Sequence, residues 1–164
     1  MNKINFKIII DTREKQIDHI IKAFEKNDVK YERRALAIGD YIVESLEGYV
    51  PNIVIERKAS IDELVGNLLD TATKDENGNN RFIRELIRAK KANKKLILLI
   101  EDEKFYTNLV TGNYRSNMNP KAAKGMILSL ESKFRNLSIV WMSKKEVASY
   151  IHSILYYAIR EDLK

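Results

Sequence analysis

The sequence contains no cysteine, so neither a disulfide nor a thiolate metal site is available to it. That suits a reducing, cytoplasmic setting. No apolar run reaches the ~18 residues that a membrane-spanning helix requires. The opening residues, Met1-Asn2-Lys3-Ile4-Asn5-Phe6-Lys7, lack the apolar centre and the cleavage site of a secretory signal. There is no internal repeat, no low-complexity tract and no linker rich in proline or serine. A nucleophile elbow, a glycine-rich phosphate loop and a dinucleotide-binding fingerprint are all missing. No small-molecule organic cofactor is therefore expected. The two histidines, His19 and His152, fall on predicted helices with no partner at ligand spacing, and read as structural or surface residues.

What remains is 164 residues, 45% hydrophobic and 32% charged, the make-up of one ordinary domain spanning 1–164. The net charge of +6 leans toward a polyanionic partner.

The chain is organised around residues 39–62. Tyr41-Ile42-Val43 and Ile53-Val54-Ile55 read as strands, with turn chemistry between them at Glu47-Gly48. Antiparallel pairing about Gly48 sets Asp40 opposite Glu56, unless Pro51-Asn52 inserts a bulge and shifts the register. Opposed residues lie roughly 4.5–5.5 Å apart on one face. Glu56 and Lys58 share that face, and Arg57 points the other way. Two facing carboxylates repel unless a cation lies between them, and a hard divalent ion such as Mg²⁺ or Mn²⁺ suits oxygen ligands. A lysine beside that ion can hold an attacking water or offset charge building on a phosphoryl group.

Gly39-Asp40, then Glu56-Arg57-Lys58, then Asp62 resembles the signature of the XPF nuclease family, G-D followed by E-R-K-x-x-x-D. Upstream, Asp11-Thr12-Arg13-Glu14 resembles that family's D-x-R-E element. The resemblance implies a restriction-endonuclease-like α/β core and a Mg²⁺- or Mn²⁺-dependent endonuclease acting on DNA. It implies Asp40, Glu56 and Asp11 as metal ligands, Lys58 as the group that positions water, and Arg13, Glu14, Arg57 and Asp62 as supporting residues. Asp11 also reads as a cap for the following helix, and Asp62 as a first-turn carboxylate favoured by the helix dipole. Relatives in the family favour branched or junction DNA and pair as dimers. Many carry a helix-hairpin-helix domain after the nuclease domain, and none is expected here.

Around the motif the elements alternate. Lys7–Ile10 reads as a buried strand, 15–27 as a helix, and 29–36 as a partly exposed strand. Ser60 and Glu63 form a capping box that opens a helix. A polar loop, 71–80, leads to a helix over 81–95. Its Arg81, Arg84, Arg88 and Lys91 line up on one side, as a solvated face or as a track for DNA phosphates. Leu96–Ile100 is a buried strand ending in Glu101-Asp102. Asn119-Pro120 opens a helix that buries Ala123, Met126, Ile127, Leu130 and Phe134. A last strand covers 138–142, and a second capping box, Ser143 with Glu146, precedes the last helix. The pattern predicts an α/β fold with a central mixed sheet flanked by helices. Apolar residues of the last two helices, among them Met126, Tyr156 and Tyr157, suggest a homodimer. A non-catalytic DNA-binding or scaffolding subunit of the same fold is the rival class. A Holliday-junction resolvase with a D…E-x-K site is the rival enzyme.

Overall fold

The computed structural model describes residues 4–164; Met1–Lys3 of the opening segment lie outside the described residues. The strands are β1 (Phe6–Ile10), β2 (Tyr31–Arg33), β3 (Tyr41–Ser45), β4 (Ile53–Lys58), β5 (Lys95–Glu101) and β6 (Leu137–Met142). The helices are α1 (Asp18–Lys26), α2 (Ile61–Leu69), α3 (Arg81–Lys91), α4 (Phe105–Thr111), α5 (Pro120–Leu128), α6 (Leu130–Lys133) and α7 (Val147–Asp162).

The strands form one sheet in the order β2-β1-β3-β4-β5-β6. β3 runs antiparallel to both of its neighbours, and the other pairs are parallel. The mixed sheet flanked by helices that the pattern predicts is thus present. Ile8, Ile10, Tyr41, Ile55 and Leu99 pack under α1 and α7. Val54, Leu98 and Ile100 pack under α2 to α6 on the other face. Leu96–Ile100 of β5 is buried throughout, as a parallel strand covered on both faces must be. Each such side chain contributes about 1.5–3 kcal/mol on burial, so β4 is clamped between well-packed neighbours.

The elements depart from expectation in five places. α1 starts at Asp18, because Gln16 adopts a left-handed conformation (φ 55°) and Arg57 holds the loop before it. β2 keeps only Tyr31–Arg33 of the predicted 29–36 strand, and α3 stops at Lys91 ahead of Asn93 (φ 54°). α4 is an added helix. Its β-branched Thr107, Val110 and Thr111 mask it, and burial of Phe105 and Leu109 holds it. The predicted 119–134 helix is two, α5 and α6, broken at Ser129, whose hydroxyl donates to Met126 O at 3.0 Å. Among the described residues no helix is long and apolar enough to cross a membrane.

Candidate active site

Tyr41 pairs with Ile55, so Asp40 stands opposite Glu56 and no bulge has shifted the register. Asp40 N–H donates to Ile55 O at 2.8 Å, and Arg57 N–H donates to Asp40 Oδ2 at 2.8 Å. Gly39 makes this approach feasible. Its φ is +72°, and a Cβ there would lie 2.1 Å from Val54 Cγ2. Gly48, at φ +88°, closes the turn between the strands.

Strand alternation then divides the motif. Glu56 and Lys58 face a cleft of about 270 Å³ between β4 and α3, lined also by Asp40, Arg13, Arg81 and Glu85. Lys58 Nζ lies 3.1 Å from Glu56 Oε1 and 5.0 Å from the centre of the Phe82 ring. Burial pushes the Asp40 carboxyl up, and the charges of Glu56 and Glu14 add to that. Burial pushes Glu56 up as well, against the pull of Lys58. Among the described residues no donor is bonded to Asp40 Oδ1 or Glu56 Oε2. A buried carboxylate, Glu56, and a half-buried one, Asp40, each with a free oxygen on one wall, fit a hard divalent cation, with oxygen donors and room for water.

Arg57 sits on the opposite face of the sheet. Its guanidinium donates to Glu101 Oε2 (2.8 Å), Glu14 Oε2 (3.0 Å), Lys15 O (3.3 Å) and Gln16 O (2.9 Å). Tyr41 OH completes the cluster by donating to Glu14 Oε2 at 2.6 Å. His19, read from the sequence as lacking a ligand partner, lies with Nε2 2.7 Å from Glu101 Oε1. Glu101 is therefore part of a buried charge network and stands away from Glu56. Asp102 caps the turn into α4, accepting from Lys104 N–H (2.9 Å) and the Asn108 amide (2.8 Å).

The structure does not bring Asp11 into the cleft. Its oxygens accept from Arg13 N–H (2.7 Å), Arg13 Nε (3.0 Å), a second guanidinium nitrogen of Arg13 (3.0 Å) and Leu36 N–H (2.9 Å). Burial alone would raise its pKa, but these donors outweigh burial and hold it at about 2. Arg13, fixed in this way, reaches the cleft. Asp62 accepts from Arg115 N–H at 2.8 Å. One half of the capping box forms as predicted, Glu63 N–H donating to Ser60 Oγ (3.2 Å), while Glu63 Oε2 accepts from Ala59 N–H (2.8 Å), one residue ahead of the cap.

The basic side of α3 divides three ways. Arg81 and Arg88 line the cleft, with Arg81 Nε 3.5 Å from Glu85. Arg84 instead clamps the 71–80 loop, donating to Thr73 O (2.6 Å) and Asn79 O (2.7 Å). Lys91 lines an adjoining depression with Arg88. Glu85 is the cleft residue that sequence reasoning missed, and its charge adds to the rise of the Glu56 pKa. One acidic residue inside a basic stripe, four positions from Arg81, was the available signal.

The ERCC4 domain matches residues 10–154. The chain belongs to the ERCC4-domain family. ERCC4 domains are nucleases, and the XPF-type resemblance carried by residues 39–62 is borne out. Among solved structures, XPF from Aeropyrum pernix has the same fold, with a TM-score of 0.67 and 19% identity. That match covers 94% of this chain and 69% of the other. No curated protein matches the chain in sequence.

Proposed function

We propose that this ERCC4 domain is a divalent-metal-dependent DNA endonuclease, with Asp40 and Glu56 as the carboxylates for Mg²⁺ or Mn²⁺. The observation that carries this reading is the 41–55 register, which sets the carboxylates of Asp40 and Glu56 and the ammonium of Lys58 on one cleft wall. A bound divalent cation supplies charge neutralisation and Lewis acidity toward water and a phosphoryl oxygen. Lys58 spends one N–H on Glu56 and has others to donate to the attacking water or to a non-bridging oxygen as charge builds. Phe82 and Glu56 fix that ammonium in place, so little reorganisation is needed. Asp11, with its oxygens engaged, positions Arg13 at the cleft mouth. Arg81, Arg88 and Lys91 offer phosphate contacts beside it. The test is cleavage of flap, fork, four-way junction and linear DNA in Mg²⁺, Mn²⁺ and EDTA. Metal-dependent products, strongest on branched DNA, are expected, and no product from any substrate contradicts the reading.

The raised carboxyls give a linked prediction. A folded-state pKa above the unfolded value means stability that is present at low pH and lost as pH rises. Metal-free protein is therefore expected to melt at lower temperature as pH climbs from about 4 toward the raised values. Saturating Mg²⁺ should restore the melting temperature and release protons, since the ion binds the ionised pair. A melting temperature indifferent to both pH and Mg²⁺ would argue against a metal site here.

We also propose a homodimer. Phe134, Leu130 and Ile127 are spent in the chain's own core, as are Ile151, Leu155 and Ile159, and Tyr156 packs against Phe6 (ring centres 5.7 Å apart). Met126 and Leu128 on α5, Trp141 on β6, an edge strand of the sheet, and Tyr157 on α7 remain exposed. Light scattering at micromolar concentration is expected to give twice the 19.1 kDa chain mass. A single species at 19.1 kDa contradicts the dimer.

A further inference from the structure

Asp62 belongs to the nuclease motif yet lies outside the cleft that Asp40, Glu56 and Lys58 line. It faces a separate depression of about 660 Å³ on the far side of Arg13. Asp62 accepts Arg115 N–H at 2.8 Å and lies 3.6 Å from Arg115 Nε. It thereby pins the loop after α4, leaving the Arg115 side chain 93% exposed. Lys15 and Arg13 complete an exposed basic rim. The carboxylates nearby are already engaged: Glu14 with Arg57 and Tyr41, Glu63 with Ala59 N–H.

Gly66 lies on the same wall, in the interior of α2. Glycine is the poorest helix former after proline. Apart from its chain neighbours and its own helix backbone, a Cβ there would meet no protein atom within 4 Å, and its φ is not in the left-handed range. Neither packing nor backbone conformation asks for glycine at this position. An absent side chain on the wall of a basic depression leaves room for another backbone to approach closely.

We infer that this depression is a second DNA-backbone site, with Arg13, Lys15 and Arg115 as phosphate contacts, Gly66 as the point of close approach and Asp62 as the positioning residue for Arg115. The inference rests on the DNA-endonuclease reading. It adds that the substrate is held on both sides of the scissile bond, with Arg13 lining both depressions. Phosphate contacts of this kind fix register and direction on the nucleic acid without reading sequence.

The test is binding of a fluorescent DNA duplex and flap, with Ca²⁺ in place of Mg²⁺, across a salt series. Lys15→Ala and Arg115→Ala are each expected to weaken binding several-fold. Each should lower the slope of log affinity against log salt by about 0.9. Asp62→Ala should also weaken binding, and no further when combined with Arg115→Ala. Loss of an acidic charge beside DNA would otherwise tighten it, so the sign separates positioning from bulk electrostatics. Gly66→Ala should raise the melting temperature by about 2–4 °C while weakening binding several-fold. If Arg115→Ala and Gly66→Ala bind as wild type while Arg88→Ala binds more weakly, the second site is wrong and the endonuclease reading stands. If wild type binds neither DNA, that reading itself fails.

Discussion

Lys58→Ala is expected to slow DNA cleavage by about 10²–10³-fold, the usual cost of removing a preorganised donor aimed at developing charge. Asp40→Asn is expected to reduce it to background, since an amide neither carries the charge nor offers the paired oxygens that a divalent ion needs. Both variants should keep DNA affinity within a few-fold, because neither residue makes the phosphate contacts that dominate binding. Their stabilities should diverge. Burial and the charge of Glu56 push the Asp40 carboxyl up to about 9, so near neutral pH the metal-free fold must hold a proton there that the unfolded chain has released, and Asp40→Asn removes that cost. A gain on the order of 1–2 kcal/mol follows. Lys58→Ala leaves Glu56 buried without its 3.1 Å partner and should lose stability instead. Single-turnover cleavage, anisotropy and thermal melts on the same preparations separate these effects. Wild-type rates in either variant would remove that residue from the chemistry.

Arg57→Met is expected to destabilise the fold by about 3–5 kcal/mol. Arg57 is 3% exposed and is the shared cation of Glu14 and Glu101. Removing it strands two buried carboxylates and leaves the carbonyls of Lys15 and Gln16 without their donor. Lysine is no substitute, because a point charge cannot span two carboxylates and two carbonyls as a planar fork does. Arg57→Lys should therefore recover less than half of the loss. Glu101→Gln added to Arg57→Met should recover part of it, by taking away one stranded charge. The 14–16 loop follows Arg13, so the activity of any folded Arg57 variant should fall along with its stability. A melting temperature within a degree or two of wild type in Arg57→Met would mean that the network contributes little.

Much of this was legible in the sequence because it depends on short-range rules. Counting eight residues either side of Gly48 paired Asp40 with Glu56, and the period of two sent Arg57 to the opposite face from Glu56 and Lys58. Ser60 and Glu63 marked the start of α2 by capping chemistry alone. What escaped depends on contacts between distant segments. Asp11 ends its strand as expected, but Arg13 and Leu36 N–H decide which way its carboxylate turns, and they take it out of the cleft. Arg115 reaches Asp62 across 53 positions, and no local pattern announces that. Arg84 has the same spacing as Arg88 along α3, yet the carbonyls of Thr73 and Asn79 capture it because the 71–80 loop folds back over the helix. α4 escaped because tertiary burial of Phe105 and Leu109 overrides the weak helix propensity of its threonines and valine.

The central claim is that Asp40, Glu56 and Lys58 cut DNA with a divalent cation. Single-turnover cleavage of end-labelled flap DNA across a Mg²⁺ titration, wild type beside Asp40→Asn, tests it most directly. The account predicts saturable Mg²⁺ dependence in wild type, full suppression by EDTA, and no product from Asp40→Asn at any Mg²⁺ concentration. Equal product from the two proteins, or product that survives EDTA, would contradict it.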